Sequence, residues 1–362
     1  MRFASRKTGV AAAMIGISAL ALSACGQAPE ESIADADNSD YIGCIVSDSG
    51  GFDDQSFNES SHRGLKNAEA DLGIQTREAE SKSNADFATN LQGMMNAGCD
   101  MTVTIGFLLG DATEEAAAAN PDNHFAIVDF QYEEPIENVK PIIYDTAQAA
   151  YLAGYVAAAT SKTGTVATFG GIKIPTVTIF MDGFADGVAK YNEDKGEDVQ
   201  LLGWNKEQQD GTFTGDFEKQ DRGKQVTETF LSQGADIVMP VAGPVGRGAG
   251  AALNEAAAAG QDVKLIWVDS DGFETAPDYK DIMLTSVIKT MDTAVEEVIT
   301  QDVAGNFDAT PYVGTLKNTG VDIAPFHNFD SEVSDETKAE VEALKQAIIS
   351  GDLVVESDAS PN

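Results

Sequence analysis

The chain has 362 residues, 43% of them hydrophobic and 23% charged, which is enough apolar content to fill the cores of two ordinary domains. Lysine and arginine total 23 against 59 aspartate and glutamate, a formal net charge of −36 that excludes nucleic acid and anionic membrane surfaces as partners of a basic face. Three cysteines and three scattered histidines exclude a disulfide scaffold, a cysteine-rich zinc module and an HExxH metal helix.

Residues 1–24 read as a targeting segment rather than part of the fold. Arg2, Arg6 and Lys7 precede an apolar run from Val10 to Leu22, about thirteen residues and too short to span a bilayer as a helix. Leu22-Ser23-Ala24-Cys25 resembles the lipobox of bacterial lipoproteins, in which the Cys25 thiol would carry the lipid. Residues 25–40 are small, polar and acidic without a basic residue, the composition of a flexible tether. With no second long apolar run, the expectation is a protein held at the extracytoplasmic face of the cell membrane by its lipid, without crossing it.

From residue 41 β-branched runs alternate with helical spacing. Strands are expected at Tyr41–Ser47, Ile74–Ala79, Met101–Ile105, His124–Val128 and Pro141–Tyr144, with helices at Phe57–Leu72, Ala85–Ala97, Asp111–Ala119 and Ala147–Thr160. A second series has strands at Thr165–Phe169, Val199–Trp204, Ile237–Val241, Lys264–Val268 and Met283–Ile288. Its helices are expected at Val177–Tyr191, Asp221–Gln233, Gly246–Ala259, Thr290–Val303 and Ser334–Ser350. Such alternation implies parallel sheets with right-handed crossovers, here two similar α/β lobes. Cys44 falls in an apolar strand and Cys99 at a helix-to-strand turn; an oxidising compartment permits a disulfide, but the expectation is two free, buried thiols.

Ligands of parallel sheets bind beyond the carboxyl ends of the strands, so the residues there carry the functional reading. The segment DSGGFDDQSFN, from Asp48 to Asn58, has glycines but neither the GxGxxG spacing nor a cation, and its aspartates would repel a phosphate. Ionised carboxylates accept hydrogen bonds, which suits a neutral, hydroxyl-rich ligand. Phe57 is either a stacking face or a core residue opening a helix; Asp129 either accepts from a ligand or caps the next segment. Asp269 and Asp271 follow the apolar run LIWV, one to orient a ligand and one to cap a turn, and no calcium loop accompanies them. No nucleophile elbow or cofactor motif is present, so neither an enzyme nor a cofactor is expected.

The runs DSGGFDDQSFN, DTAQAAYLAGYVAA, GGIKIPTVTIFMDGFADGV, GADIVMPVAGPVGRGAGAA, IWVDSDG and LTSVIKTMD, spread over residues 41–350, resemble the basic membrane protein family, purine-nucleoside-binding lipoproteins of ABC importers. The resemblance implies a type I periplasmic binding fold, two Rossmann-like lobes joined by a three-strand hinge with the ligand in the cleft. The crossings are placed near Thr160–Gly164, Asp271–Asp281 and Thr310–Gly320. Lobe 1 then holds residues 41–160 and 281–310, and lobe 2 residues 161–280 and 311–355. Carried over position by position, Phe57 stacks on the base with Asn58 and Asp129 as polar neighbours, and Asp48 closes the same side. Phe217 takes the second ring's position, with Phe213 and Phe184 as competitors. Gly243 lines the pocket, Asp269 takes the ribose hydroxyls, with Asp271 as the alternative register, and Lys289 approaches the same sugar. The implied partners are a nucleoside and the permease and ATPase of an importer; a sugar or other polar signal, or a sensor without transport, are the alternatives. If Cys25 is the lipid anchor, Cys25→Ala releases the protein into the medium or leaves it unprocessed; unchanged membrane fractionation and unchanged labelling with a fatty-acid analogue would count against it.

Overall fold

The structure is a computed structural model that describes residues 37–361; the expected targeting segment, Cys25 and most of the tether lie outside the described residues. From β1 (Ile42–Ser49) the chain runs through α1 (Phe57–Leu72), β2 (Gln75–Ser81), α2 (Phe87–Asn96), β3 (Met101–Ile105), α3 (Gly110–Ala119), β4 (His124–Val128) and β5 (Val139–Tyr144). A second alternation follows: α4 (Thr146–Thr160), β6 (Thr165–Gly170), α5 (Pro175–Lys195), β7 (Gln200–Leu202), the ribbon β8 (Trp204–Asn205) and β9 (Asp210–Gly211), α6 (Gln220–Ser232), β10 (Ile237–Val241) and α7 (Val245–Ala258). Then come β11 (Lys264–Asp269), the single turn α8 (Gly272–Thr275), β12 (Met283–Lys289), α9 (Met291–Val303), β13 (Tyr312–Gly314), β14 (Val321–Ile323) and α10 (Asp335–Ser350).

Two six-stranded sheets result. The first has the order β13-β5-β4-β3-β1-β2 and is wholly parallel. The second has the order β14-β12-β11-β10-β6-β7 and is parallel except for β14. Central strands such as IVMPV are buried on both faces, which is why they read as unbroken apolar runs; MTVTI alternates, yet its Thr102 and Thr104 are buried too. Helices cover the faces: α1 against α9 on the first sheet, α6 against α7 and α4 against α5 on the second. The α4–α5 pair approaches closely because Gly183 and Gly187 lack side chains; a Cβ at either would lie 2.2 and 2.0 Å from the carbonyl oxygens of Ala147 and Tyr151.

The lobe boundaries differ from those expected. Helix α4, assigned above to lobe 1, packs on α5, α10 and the second sheet, and β12, assigned to lobe 1, is an interior strand of that sheet. The chain therefore leaves lobe 1 at Tyr144–Thr146, not near Thr160–Gly164, and returns at Lys289–Met291, not near Asp271–Asp281. A periodic pattern identifies a helix but not the sheet it covers, and α4 is buried almost all round, so it carried no sidedness. The third passage runs from β13 to β14, two strands of three residues that have too little pattern to be read.

The expectation of free thiols is also overturned: Cys44 and Cys99 form a disulfide with a Cα–Cα separation of 5.9 Å. Parallel pairing of β1 with β3 brings the turn entering β3 beside β1, as the Asp100 amide donating to the Ile42 carbonyl shows. Spacing along the chain gave no hint of this, because the pairing depends on which strands are neighbours. The bridge spans a sequence separation of 55 and lies wholly in lobe 1. Replacing both cysteines by alanine is expected to lower stability by about 2–4 kcal/mol in denaturant titration, through the freed loop in the unfolded chain; a change under about 0.5 kcal/mol would contradict the bridge.

Candidate functional site

The loops after the strands of both sheets meet in one cleft with about 580 Å³ of empty space, mouth included. That lies in the usual size range of small-molecule sites. All eight residues singled out from the sequence line it: Asp48, Phe57, Asn58, Asp129, Phe217, Gly243, Asp269 and Lys289.

The lobe 1 wall is built on the turn from β1 to α1. Helix α1 is capped by a side chain the sequence reading did not single out, Asp54, whose carboxylate accepts from the amides of Ser56, Asn58 and Glu59 at 2.9–3.0 Å. An aspartate just ahead of a helix was the available signal. The same carboxylate and Asp48 both accept from the Asn58 Nδ2 group, at 3.2 and 2.9 Å. Both amide hydrogens are thereby used, which fixes the amide orientation and leaves Oδ1 buried without a partner. Gly106, at φ +110°, makes room for Asp48; a Cβ there would lie 2.6 Å from Asp48 Oδ2.

At the floor sits Lys289, the last residue of β12, 3% exposed. Its ammonium pairs with Asp129 Oδ2 at 2.6 Å and Asp269 Oδ1 at 3.0 Å, one carboxylate from each lobe, and lies 4.5 Å from the centre of the Phe57 ring. Burial works against its charge, and the two carboxylates outweigh burial, raising the pKa of the amine. Both aspartates leave their strands with left-handed backbone, φ 62° and 73°. That conformation is uncommon for a residue with a side chain, and here it turns each carboxylate to the lysine.

From lobe 2, the Phe217 ring lies against Gly171, where a Cβ would meet it at 2.3 Å. Phe213 packs edge-on against Trp204, and Phe184 is fully buried in α5; neither lines the cleft. Asp271 is turned away, accepting from the Phe273 amide and pairing with His327 at 2.8 Å, so Asp269 is the carboxylate of this loop that faces the cleft. Phe180 of α5 also lines the cleft, 5.4 Å from the Lys289 ammonium; it was missed because its helix reads as ordinary core. The lobes touch through the same turn. The Ser56 hydroxyl donates to Asp269 at 2.9 Å, and the Gln55 carbonyl accepts from Trp267 Nε1 at 3.1 Å and Thr275 Oγ1 at 2.9 Å.

Chemically the cleft is rich in acceptors, with one cation already neutralised. Among the described residues no group of histidine, cysteine, aspartate and glutamate is placed to hold a metal ion. Burial pushes the Asp48 carboxyl up to about 7; the Asn58 bond pulls it down, while Asp54, Asp129 and Glu218 add to the rise. Burial likewise carries Asp54 to about 6 against its three amide bonds. A carboxyl raised in the folded state keeps a proton that the unfolded chain loses near pH 4, so its contribution is most favourable below that pH and declines as pH rises to 7. Ligand-free stability is therefore expected to fall from pH 4 to 7, by up to about 1.4 kcal/mol per pH unit for one such group. In Asp48→Asn the slope between pH 5 and 7 should be shallower; an identical slope in denaturant titrations would refute this.

Residues 43–358 match the family described as ABC transporter substrate-binding protein, PnrA-like. The chain is 33% identical to a CD4+ T-cell-stimulating antigen of Listeria innocua over 97% of this chain and 98% of that protein. It is 30% identical to the ABC transporter nucleoside-binding protein BmpA of Lactococcus lactis, over 97% and 99%. It is 31% identical to basic membrane protein A of Borreliella burgdorferi, over 85% and 86%. Among solved structures, an ABC transporter solute-binding protein of Aeropyrum pernix superposes with a TM-score of 0.80 at 26% identity, covering 88% of this chain and 94% of that one. With two parallel-sheet lobes of the type I periplasmic binding fold and a cleft between them, the chain belongs to the Bmp family of PnrA-like ABC transporter substrate-binding proteins.

Proposed function

We propose that the protein captures nucleosides, purines by preference, outside the cytoplasm while held to the membrane by a lipid on Cys25, and delivers them to the permease and ATPase of an importer. The observation that carries the ligand class is the Asp129–Lys289–Asp269 triad at the floor of a cleft to which each lobe contributes a phenylalanine, Phe57 and Phe217. Two aromatic faces accept a flat base whatever its substituents, at about 1–3 kcal/mol each. The Asp129 and Asp269 carboxylates, paired with Lys289, accept from vicinal sugar hydroxyls. The unpaired Asn58 Oδ1 and the Asp48 carboxyl offer acceptors to N–H groups on the base edge. Among the described residues Lys289 is the only basic one lining the cleft, and it is already paired, so a phosphate would enter uncompensated. The name of the Lactococcus relative, a nucleoside-binding protein, supports the same reading.

Calorimetry on the soluble domain with nucleosides, their 5′-monophosphates, free bases and ribose tests this. Nucleosides should bind, and monophosphates should be weaker by roughly a thousandfold, since one uncompensated charge contact near 4 Å at an effective dielectric of 20 costs about 4 kcal/mol. Phe57→Ala and Phe217→Ala should each weaken nucleoside binding by about 1–3 kcal/mol and reduce ligand-induced compaction in small-angle scattering. Equal affinity for a nucleoside and its monophosphate, or normal binding by both variants, would defeat the assignment.

A further inference from the structure

Beyond Asp129 and Lys289 lies a second cavity, with about 1060 Å³ of empty space, mouth included. The two share Phe107, Asp129, Thr176, Phe180 and Lys289, so they adjoin across the Asp129–Lys289 pair. We propose that this rear cavity is a second compartment of the binding site, which takes an uncharged substituent on the 5′ carbon of the bound nucleoside.

The direction follows from the chemistry of the sugar and rests on the nucleoside reading above. With the base between Phe57 and Phe217 and the two ring hydroxyls on the triad carboxylates, the 5′ carbon is the one sugar substituent left to pass Lys289. The walls define what it can carry. Ile143, Phe130 and Phe180 are apolar, while Tyr144 and Thr146, 5% and 1% exposed, have hydroxyls with no hydrogen-bond partner. Unpaired buried hydroxyls are costly, and a guest or water that pairs with them recovers that cost. Burial lifts the Tyr144 phenol above its ordinary pKa, so it stays protonated and able to donate. Among the described residues the only cation on these walls is Lys289, neutralised by Asp129 and Asp269, and Glu133 stands among the lining residues. An anionic extension is therefore rejected, and a neutral thioether, ether or alkyl group is accepted.

The floor of the compartment is the C-terminal strap. It is fixed in place: Val355 is buried, Lys206 Nζ donates to the Glu356 carbonyl at 2.5 Å, and the Ser357 hydroxyl donates to Asp182 at 2.7 Å. Beyond that anchor, Ala359, Ser360 and Pro361 line the rear cavity and do not line the front one. The Ser360 hydroxyl donates to Asp145 on a neighbouring hollow, whereas Ala359 lines the rear cavity without lining that hollow or the front cleft, so a bulky side chain at Ala359 would fill the rear compartment away from the base and triad.

The test is calorimetry on the unaltered protein and on Ala359→Tyr, with adenosine, inosine and guanosine, their 5′-deoxy-5′-methylthio derivatives and their 5′-monophosphates. For the nucleoside that binds most tightly, the methylthio derivative should bind within tenfold of its parent. Ala359→Tyr should weaken that derivative tenfold or more and change the parent by less than twofold. If the parent binds and its derivative is more than tenfold weaker, or if Ala359→Tyr weakens both alike, the rear compartment is refuted while the nucleoside reading stands. If no parent nucleoside binds, both fall.

Discussion

An ammonium group sealed inside a chain of net charge −36 has to be matched by anions at short range, and the placement of Lys289 organises much of what surrounds it. Burying an ion costs several kcal/mol even after relaxation, which excellent geometry with an opposite charge offsets. Here one carboxylate comes from the end of β4 and the other from the end of β11, so meeting the electrostatic demand of a single side chain requires the two sheets to present their carboxyl ends to one another. The left-handed backbone of Asp129 and Asp269 is a local cost of that arrangement, and both residues line the cleft.

Around this charge cluster the polar groups are graded by how fully they are satisfied. Asp54 is saturated by backbone amides and serves the helix. Asp271 is saturated by an amide and His327 and serves its own turn. Asn58 is satisfied on its nitrogen and bare on its oxygen, and Asp48 is buried with a single side-chain donor. Groups that finish their hydrogen bonding inside the protein hold the loops in shape; those left incomplete face the space where a guest would lie. The same distinction separates Phe217, which lies along the cleft, from Phe184, which is enclosed on all sides.

Much of the fold was legible because parallel strands buried on both faces announce themselves, as HFAIV and IVMPV do. The strand ends were legible as well, since glycine and aspartate accumulate where backbone and carboxylates crowd together. What escaped was whatever depends on a neighbour distant in sequence. The side of the sheet that α4 covers, the membership of β12, the bond between Cys44 and Cys99 and the pocket face of Phe180 are all decided by packing across tens of residues. The three-residue strands β13 and β14 escaped for the opposite reason: their pairing is set by partners in β5 and β12, and they have no pattern of their own.

Lys289 is also the residue from which the chain turns back into lobe 1, immediately ahead of Thr290 and α9. Asp269 lies on the adjoining strand of the same sheet, whereas Asp129 belongs to the opposite lobe. Parting the lobes therefore splits the cluster unevenly. Lobe 2 would keep a neutral lysine–aspartate pair, and lobe 1 would carry away a lone carboxylate that water can solvate at once, which lessens the penalty of separation. An empty, parted protein would then present two unlike half-sites, one electrically quiet and one anionic. A neutral guest bearing hydroxyl groups could settle on either, but only with both halves present would the lysine regain its second anion, so the matched cluster belongs to the closed arrangement alone.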